Sequence, residues 1–140
     1  MPIRCEIVSQ DRVVYTDDVD IVVLPGAGGV MGILPNHSPV LTTLQFGIIT
    51  VRKKGEEQFF TVAGGVAEVQ PDQVTALADA AENVEEIDTQ RAEAARKRAE
   101  ELLQKGVGPD TDQYLAIQAA LRRSNLRLDA AQRLRRSRRS

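Results

Sequence analysis

The 140-residue chain has little of what several classes of protein depend on: one cysteine, one histidine and no tryptophan. A lone Cys5 excludes an internal disulfide, and one Cys with one His cannot build a metal cluster from those ligands. Aromatic residues make up only 4% of the chain, which disfavours a surface for stacking bases. No apolar run approaches the ~20 residues of a membrane-spanning helix, and the N-terminus lacks a basic-then-apolar signal pattern. We therefore expect a cytoplasmic protein.

Charge is divided unevenly along the chain. Residues 1–87 carry five basic and 13 acidic residues, a net charge of −8, whereas residues 88–140 carry 13 basic and seven acidic residues, a net charge of +6. Eight of the basic residues lie between Arg122 and Arg139. Such asymmetry indicates different partners for the two halves, although a solvated helix with a basic end gives the same pattern.

The first half has the pattern of short β-strands. Between Pro2 and about Ala80, runs rich in Val, Ile, Thr and Phe are separated by turn residues such as Gly55. About nine strands at this spacing predict an all-β antiparallel sandwich or flattened barrel. Gly64-Gly65 inside a strand pattern indicates a bulge or a close approach of two backbones. The alternation along the first strand places Cys5 inside.

Beyond Ile87 the apolar period becomes helical and continues to Gly106, where the GVGP sequence (106–109) breaks it. Asp110, with Gln113 three residues later, resembles a capping box that begins a second helix. The two segments predict an antiparallel helical hairpin, with a sandwich domain at residues 1–84 and a hairpin domain at residues 85–140.

The two helices of the predicted hairpin differ in their apolar faces. The first has one face of small residues, and the second has two apolar faces. Alanines dominate the inner face of the first helix, and each buries far less surface than leucine does. The second helix has two apolar stripes, more than one partner helix can cover. The hairpin therefore either alternates between the sandwich and another protein, or stays docked with its second stripe on the sandwich. The two stripes are Tyr114, Ile117, Leu121, Ser124 and Leu128, and Leu115, Ala119, Leu126 and Ala130.

Catalytic motifs are missing from the sequence. The glycine-rich segment 25–32 lacks the Gly-Lys-Ser/Thr that closes a phosphate loop, and Met31 stands where a dinucleotide fingerprint needs glycine. We expect His37, in the Pro-rich segment 34–39, to bond to backbone rather than act as a base. The sequence offers no nucleophile–base pair, so an enzyme is not expected.

One polar constellation lies in the helical half. Asp88, Arg91 and Arg98 share one helix face, and Arg123 and Arg127 share a face of the second helix. Antiparallel folding brings these rows together, and clustered guanidiniums suit a phosphate chain. Ordinary surface salt bridges would use the same residues.

The chain as a whole resembles the epsilon subunit of F-type ATP synthase. The resemblance spans essentially the whole sequence and is carried by VVLPGAGGVMGILPNHSPVLT (22–42), GGVAEVQPDQVTALAD (64–79) and EEIDTQRA (85–92). It implies a β-sandwich of about ten strands followed by two helices. It also implies a non-catalytic rotor subunit at the cytoplasmic face of the bacterial plasma membrane, coupling proton flow to ATP synthesis. The implied partners are the gamma subunit, the c-ring and the alpha/beta catalytic head.

The resemblance further implies that the folded hairpin binds ATP as a regulatory ligand, without any required cofactor. The motif for this stands complete as Ile87-Asp88-Thr89-Gln90-Arg91-Ala92. The implied phosphate ligands are Arg98, Arg123 and Arg127, and the implied adenosine-binding residues are Glu82, Asp88, Arg91 and Ala92.

In the same family the extended hairpin inhibits ATP hydrolysis by meeting an acidic segment of the catalytic beta subunit. The resemblance implies that this contact uses Arg122, Arg123, Arg127, Arg133, Arg135 and Arg136. The ring-facing surface is expected in the loop at 29–38, with Val30, Met31 and His37. Val30 stands where the family often has an acidic residue, which leaves individual polar contacts to the ring open.

Two other classes remain as alternatives. A binding module could use its arginine-rich end to hold nucleic acid or anionic lipid, although the basic segment has no aromatics to support base stacking. A small hydrolase could bind nucleotide at the hairpin, and it would release phosphate from ATP in proportion to its concentration.

Overall fold

The computed structural model describes residues 2–106 and 112–139. Its strands at Ile3–Val8, Ile21–Gly26 and Gln73–Ala78 alternate buried residues with more exposed ones, as the apolar periodicity predicts. A three-residue 3₁₀ turn, Val84–Glu86, joins the strands to two helices. The strands are β1 (Ile3–Val8), β2 (Val13–Val19), β3 (Ile21–Gly26), β4 (Gly29–Ile33), β5 (Val40–Lys53), β6 (Glu56–Val69), β7 (Gln73–Ala78) and β8 (Ala81–Asn83). The helices are α1 (Thr89–Gln104) and α2 (Asp112–Arg139).

The strands form one sheet in the order β2-β1-β7-β6-β5-β3-β4, and β8 pairs with β6. All pairs are antiparallel except β1 with β7, which run parallel from Arg4 opposite Gln73 to Val8 opposite Leu77. The expectation of an antiparallel sheet is wrong at this pair. Alternation along each strand cannot specify direction, because parallel pairing depends on a connection through distant strands.

The described residues contain eight strands, fewer than the nine or ten expected. The runs at 39–44 and 47–53 join into β5, and those at 58–65 and 65–70 join into β6, because β5 and β6 pair along their whole lengths. The expected close approach at Gly64-Gly65 is confirmed. A Cβ on Gly65 would lie 2.3 Å from the carbonyl oxygen of Leu77, and the Gly65 φ is +130°.

The sheet curls over so that its edge strand β2 reaches β5 and β6. Lys53 Nζ lies 2.8 Å from Asp17 Oδ2, and the rings of Tyr15 and Phe60 lie with centroids 4.9 Å apart. The curl encloses the main core, in which Cys5 is 1% exposed as expected, and burial raises the pKa of its thiol to about 12. The largest fully buried side chains of this core are Ile3, Ile7, Leu24, Ile33, Ile49 and Phe60.

Helix α1 begins after Asp88 and ends before Gly106, whose φ of +84° suits glycine after a helix. The NH of Gly106 donates to the carbonyl oxygen of Leu103 at 3.4 Å. Residues 107–111 lie outside the described residues, and with them most of the expected GVGP turn and the Asp110 cap. No helix in the described ranges is both long and apolar enough to span a membrane.

The hairpin is docked on the sandwich through a second, smaller cluster. Ala130 of α2 is buried with Ile48, Phe59 and Val84, and this cluster is flanked by Ile87, Leu126 and Leu134. The second apolar stripe therefore contacts the sandwich in its C-terminal half, whereas Leu115 in its N-terminal half is 61% exposed. The docking contact is small beside the main core, since only Ala130 is buried from the helical side of this cluster.

Candidate functional site

A cleft of about 460 Å³ opens between the first three turns of α1, the short strand β8 and the middle of α2. We call it the interhelical cleft. Its size falls within the range of small-molecule sites. The residues that line it are Glu82, Glu86, Ile87, Asp88, Arg91, Ala92, Ala94, Ala95, Arg98 and Arg127.

Six of the seven residues expected to bind nucleotide line this cleft, and Arg123 is the exception. Arg123 lines an adjoining cavity of about 190 Å³, which shares Glu82 and Arg127 with the cleft and is bounded by Thr61 and Leu126. The fold therefore gathers all seven residues into two adjoining cavities, although they are spread over more than forty positions of sequence.

Asp88 already has a structural role at the edge of the cleft. Its Oδ1 accepts hydrogen bonds from the backbone NH groups of Gln90 at 3.1 Å and Arg91 at 3.2 Å. These bonds make Asp88 the N-cap of α1 and satisfy two of the free amides of its first turn. The carboxylate therefore holds the helix start in place, which fixes the positions of Arg91 and Ala92 along the cleft.

Glu82 and Arg127 form an ion pair across the junction of the two cavities. The Nε of Arg127 donates to Oε1 of Glu82 at 2.5 Å, and the hydroxyl of Thr61 lies 3.5 Å from the same oxygen. Both charged side chains are about one-third exposed. Thr61, which sequence reasoning missed, is a buried polar residue of β6 directly opposite Glu82 in the β6–β8 register.

Three arginines of the two cavities have no such partner. Within residues 2–106 and 112–139, no carboxylate forms an ion pair with Arg91, Arg98 or Arg123. Glu86, on the cleft wall, is paired instead with Arg12 of the sandwich at 3.2 Å. Unpaired guanidiniums beside a cleft can each donate parallel hydrogen bonds to an anion such as a phosphate chain.

The residues expected to face the ring occupy different environments. Val30 is 79% exposed on β4, whereas its neighbour Met31 packs against the main core, as strand alternation requires. The Nδ1 of His37 lies 2.7 Å from the carbonyl oxygen of Ser38, which confirms a histidine bonded to backbone. Leu34 and Leu41 are also exposed, so three of the six large exposed hydrophobics of the described residues fall in the segment 30–41.

The arginines expected to contact the catalytic head are distributed over the surface of α2. Arg122 places its guanidinium 4.3 Å from the ring centre of Phe46, on β5. Arg135 lines the surface groove between α1 and α2, and Arg133 and Arg136 are exposed. The pair between Arg138 and Glu85, at 2.5 Å, was not anticipated, because helical periodicity does not show where α2 meets the 3₁₀ turn.

Family models and a solved structure that match this chain all come from ATP synthases. The model of the delta/epsilon chain of ATP synthase, beta-sandwich domain, matches residues 2–84, and the model of its long alpha-helix domain matches residues 85–132. A chain of the Euglena gracilis mitochondrial ATP synthase structure, described as OSCP/F1/c-ring, aligns with a TM-score of 0.66. It is 23% identical and the alignment covers 97% of this chain and 81% of that one, a likeness that shows the fold alone.

Two bacterial relatives are closer in sequence. The ATP synthase epsilon chain of Herpetosiphon aurantiacus is 44% identical over 138 residues, covering 99% of both chains. The epsilon chain of Bacillus licheniformis is 42% identical over 129 residues, covering 92% of this chain and 97% of the relative. With both family models matching in order and relatives of this identity over nearly the full length, the chain belongs to the ATP synthase epsilon-chain family.

Proposed function

We propose that the chain is a non-catalytic rotor subunit of F-type ATP synthase whose folded hairpin binds ATP. In this role it couples proton translocation to ATP synthesis, and its C-terminal helices restrain ATP hydrolysis when they leave the sandwich. The observation that carries the regulatory part is the convergence of the seven motif residues on two adjoining cavities between sandwich and hairpin.

The partners in this proposal are the gamma subunit, the c-ring and the alpha/beta catalytic head. Solved structures of similar fold come from assemblies described as F1/c-ring and central stalk/c-ring, which supports this placement. The apolar residues exposed along the segment 30–41, Val30 above all, supply a surface suited to an obligate neighbour. Because the similar epsilon chains are bacterial, we place the subunit at the cytoplasmic face of the bacterial plasma membrane.

The cleft is large enough for a nucleotide, and those of its arginines that lack a carboxylate partner in the described residues can donate to phosphate groups. Arg98, Arg123 and Arg127 would hold the phosphate groups, and Glu82, Arg91 and Ala92 would surround the adenosine beside the cap formed by Asp88. Because the cavities lie between the sandwich and the hairpin, a ligand there binds only the docked form. It stabilises that form by RT ln(1 + [L]/Kd), and so opposes release of the hairpin.

Release of the hairpin exposes the basic face of α2. Arg122 would leave Phe46, and Arg133, Arg135 and Arg136 would meet the acidic segment of the catalytic beta subunit. The attraction is mostly between exposed charges, so it weakens as salt shortens the Debye length below ~8 Å. ATP and the catalytic head therefore compete for the hairpin, and Arg123 and Arg127 would serve one or the other.

Calorimetric titration of the intact chain with ATP and ADP tests the proposal. We expect Arg98→Gln and Arg123→Gln each to weaken ATP binding about tenfold, since each removes a charge-assisted bond to phosphate. Arg133→Gln is the matched control, because it removes the same charge from α2 outside both cavities. Equal affinity in all four proteins would contradict the assignment of ATP to these two cavities, and no binding at all would contradict ATP binding itself.

A further inference from the structure

Arg127 differs from the other arginines of the two cavities in being already bound to an anion. Its Nε contacts Glu82 Oε1 at 2.5 Å, whereas Arg91, Arg98 and Arg123 have no carboxylate partner in the described part of the chain. Arg127 also lines both cavities, so any anion that spans them passes its guanidinium.

The position of Glu82 is set from the sandwich side by the pairing of β8 with β6. Glu82 lies on β8 opposite Thr61 of β6, whose hydroxyl approaches the same carboxylate oxygen that Arg127 uses. A carboxylate at this position presents oxygens to a guanidinium much as a phosphate group does. The Glu82 carboxylate is therefore an internal anion bound to Arg127, and an incoming anion would need the same guanidinium.

We propose that the Glu82 carboxylate occupies the phosphate position at Arg127, and that a polyphosphate ligand must displace it. The inference rests on the proposed function, because it assigns an internal competitor to the same cleft. Ligand binding then exchanges one anionic partner of Arg127 for another, and the displaced Glu82 carboxylate becomes available for the adenosine role that the proposed function gives it. The pair lowers the affinity for polyphosphate and holds α2 to β8 while the ligand is away.

Inorganic triphosphate is the probe for this competition, because it carries the phosphate groups without the adenosine. In calorimetric titration of the full chain, Glu82→Gln should bind triphosphate about fivefold more tightly than the unmodified chain does, since a part-exposed pair is lost. Glu86→Gln is the matched control. It removes the same charge from the cleft wall, but Glu86 is paired with Arg12 and not with Arg127. Its effect should be less than twofold.

A double-mutant cycle separates displacement from simple charge repulsion. In an Arg127→Gln background, the added Glu82→Gln change should give no more than the twofold effect of Glu86→Gln. The proposal is overturned if Glu82→Gln binds triphosphate no more tightly than the unmodified chain. It is also overturned if its gain equals that of Glu86→Gln, or persists without Arg127.

The same titrations distinguish this inference from the function on which it rests. If the unmodified chain binds ATP and Glu82→Gln gains nothing toward triphosphate, the competition is wrong and ATP binding stands. If the unmodified chain binds neither ATP nor triphosphate, and Glu82→Gln binds neither as well, both proposals fail together.

Discussion

The guanidinium of Arg122 lies over the ring of Phe46, 4.3 Å from its centre, and joins α2 to the long strand β5. This contact lies outside the apolar cluster that Ala130 makes with the sandwich. It uses a residue that the family resemblance assigns to the released hairpin. One side chain would thus serve both states, and its loss should affect both.

Arg122→Gln should loosen the docked hairpin of the isolated chain. A cation–π contact at a part-exposed site contributes about 0.5–1 kcal/mol, so hydrogen exchange of the α2 amides should speed up about two- to fivefold. Arg133→Gln, which removes the same charge from an exposed position of α2, should leave the exchange rates unchanged. Equal protection in the two variants would show that Arg122 contributes nothing to docking.

Gly65→Ala should destabilise the sandwich by about 2–4 kcal/mol, because a Cβ would meet the Leu77 carbonyl oxygen and φ is +130°. Urea unfolding followed by circular dichroism measures the loss. Gly28→Ala is the control, since a Cβ there has no heavy atom within 4 Å. A loss at Gly65 no larger than at Gly28 would refute the close approach of β6 and β7.

The pair between Asp17 and Lys53 should make stability depend on pH. The side-chain bond from Lys53, then the backbone NH of Asp18, hold the pKa of Asp17 below its ordinary value of 3.8. Because the folded pKa is the lower one, the contribution is present above the unfolded pKa and is lost as pH falls through the folded pKa.

Chemical unfolding at a series of pH values checks this dependence. Asp17→Asn should be less stable than the unmodified chain at pH 7, and the difference should shrink as the pH falls below about 4. Asp11→Asn removes the same charge from an exposed position and should show no such convergence. A difference independent of pH would show that Lys53 does not stabilise the charged form of Asp17.

A chain ending at Ile87 should remain a folded sandwich. Every residue of the main core precedes Glu82, so removal of both helices uncovers only the small cluster at Ile48, Phe59 and Val84. We expect the free energy of unfolding to fall by about 1–3 kcal/mol, with a single cooperative transition. Loss of cooperative unfolding would mean that the expected boundary between residues 84 and 85 does not separate independent units.

The sequence correctly predicted strands for the first half of the chain and helices for the second. It predicted the ends of the strands and their pairing less well. Alternation at Ile3, Cys5 and Ile7 specifies which face of a strand is buried, and the structure buries all three. It does not specify where a strand ends when its neighbour continues to pair, which is why β5 and β6 each absorbed two predicted runs. The parallel partner of β1 is likewise a property of the whole chain path.

At the candidate site, helical spacing placed Arg91 with Arg98 and Arg123 with Arg127, and the structure brings the two rows to neighbouring cavities. Helical spacing in the sequence could not predict the contacts that depend on tertiary packing. The bond from Arg127 to Glu82 and the cap at Asp88 both use residues that sequence reasoning assigned to the ligand. Local pattern identifies which residues carry charge, whereas packing decides which charges are already satisfied.

The parallel pairing of β1 with β7 has a consequence for synthesis on the ribosome. Strand β1 leaves the ribosome before the other strands but lacks one of its two neighbours until Gln73–Ala78 has followed. The curled sheet therefore receives β7 late, shortly before α1 begins at Thr89. The surface that binds α2, formed by Ile48, Phe59 and Val84, is therefore synthesised completely before α2 is. The sheet can then form without the helices.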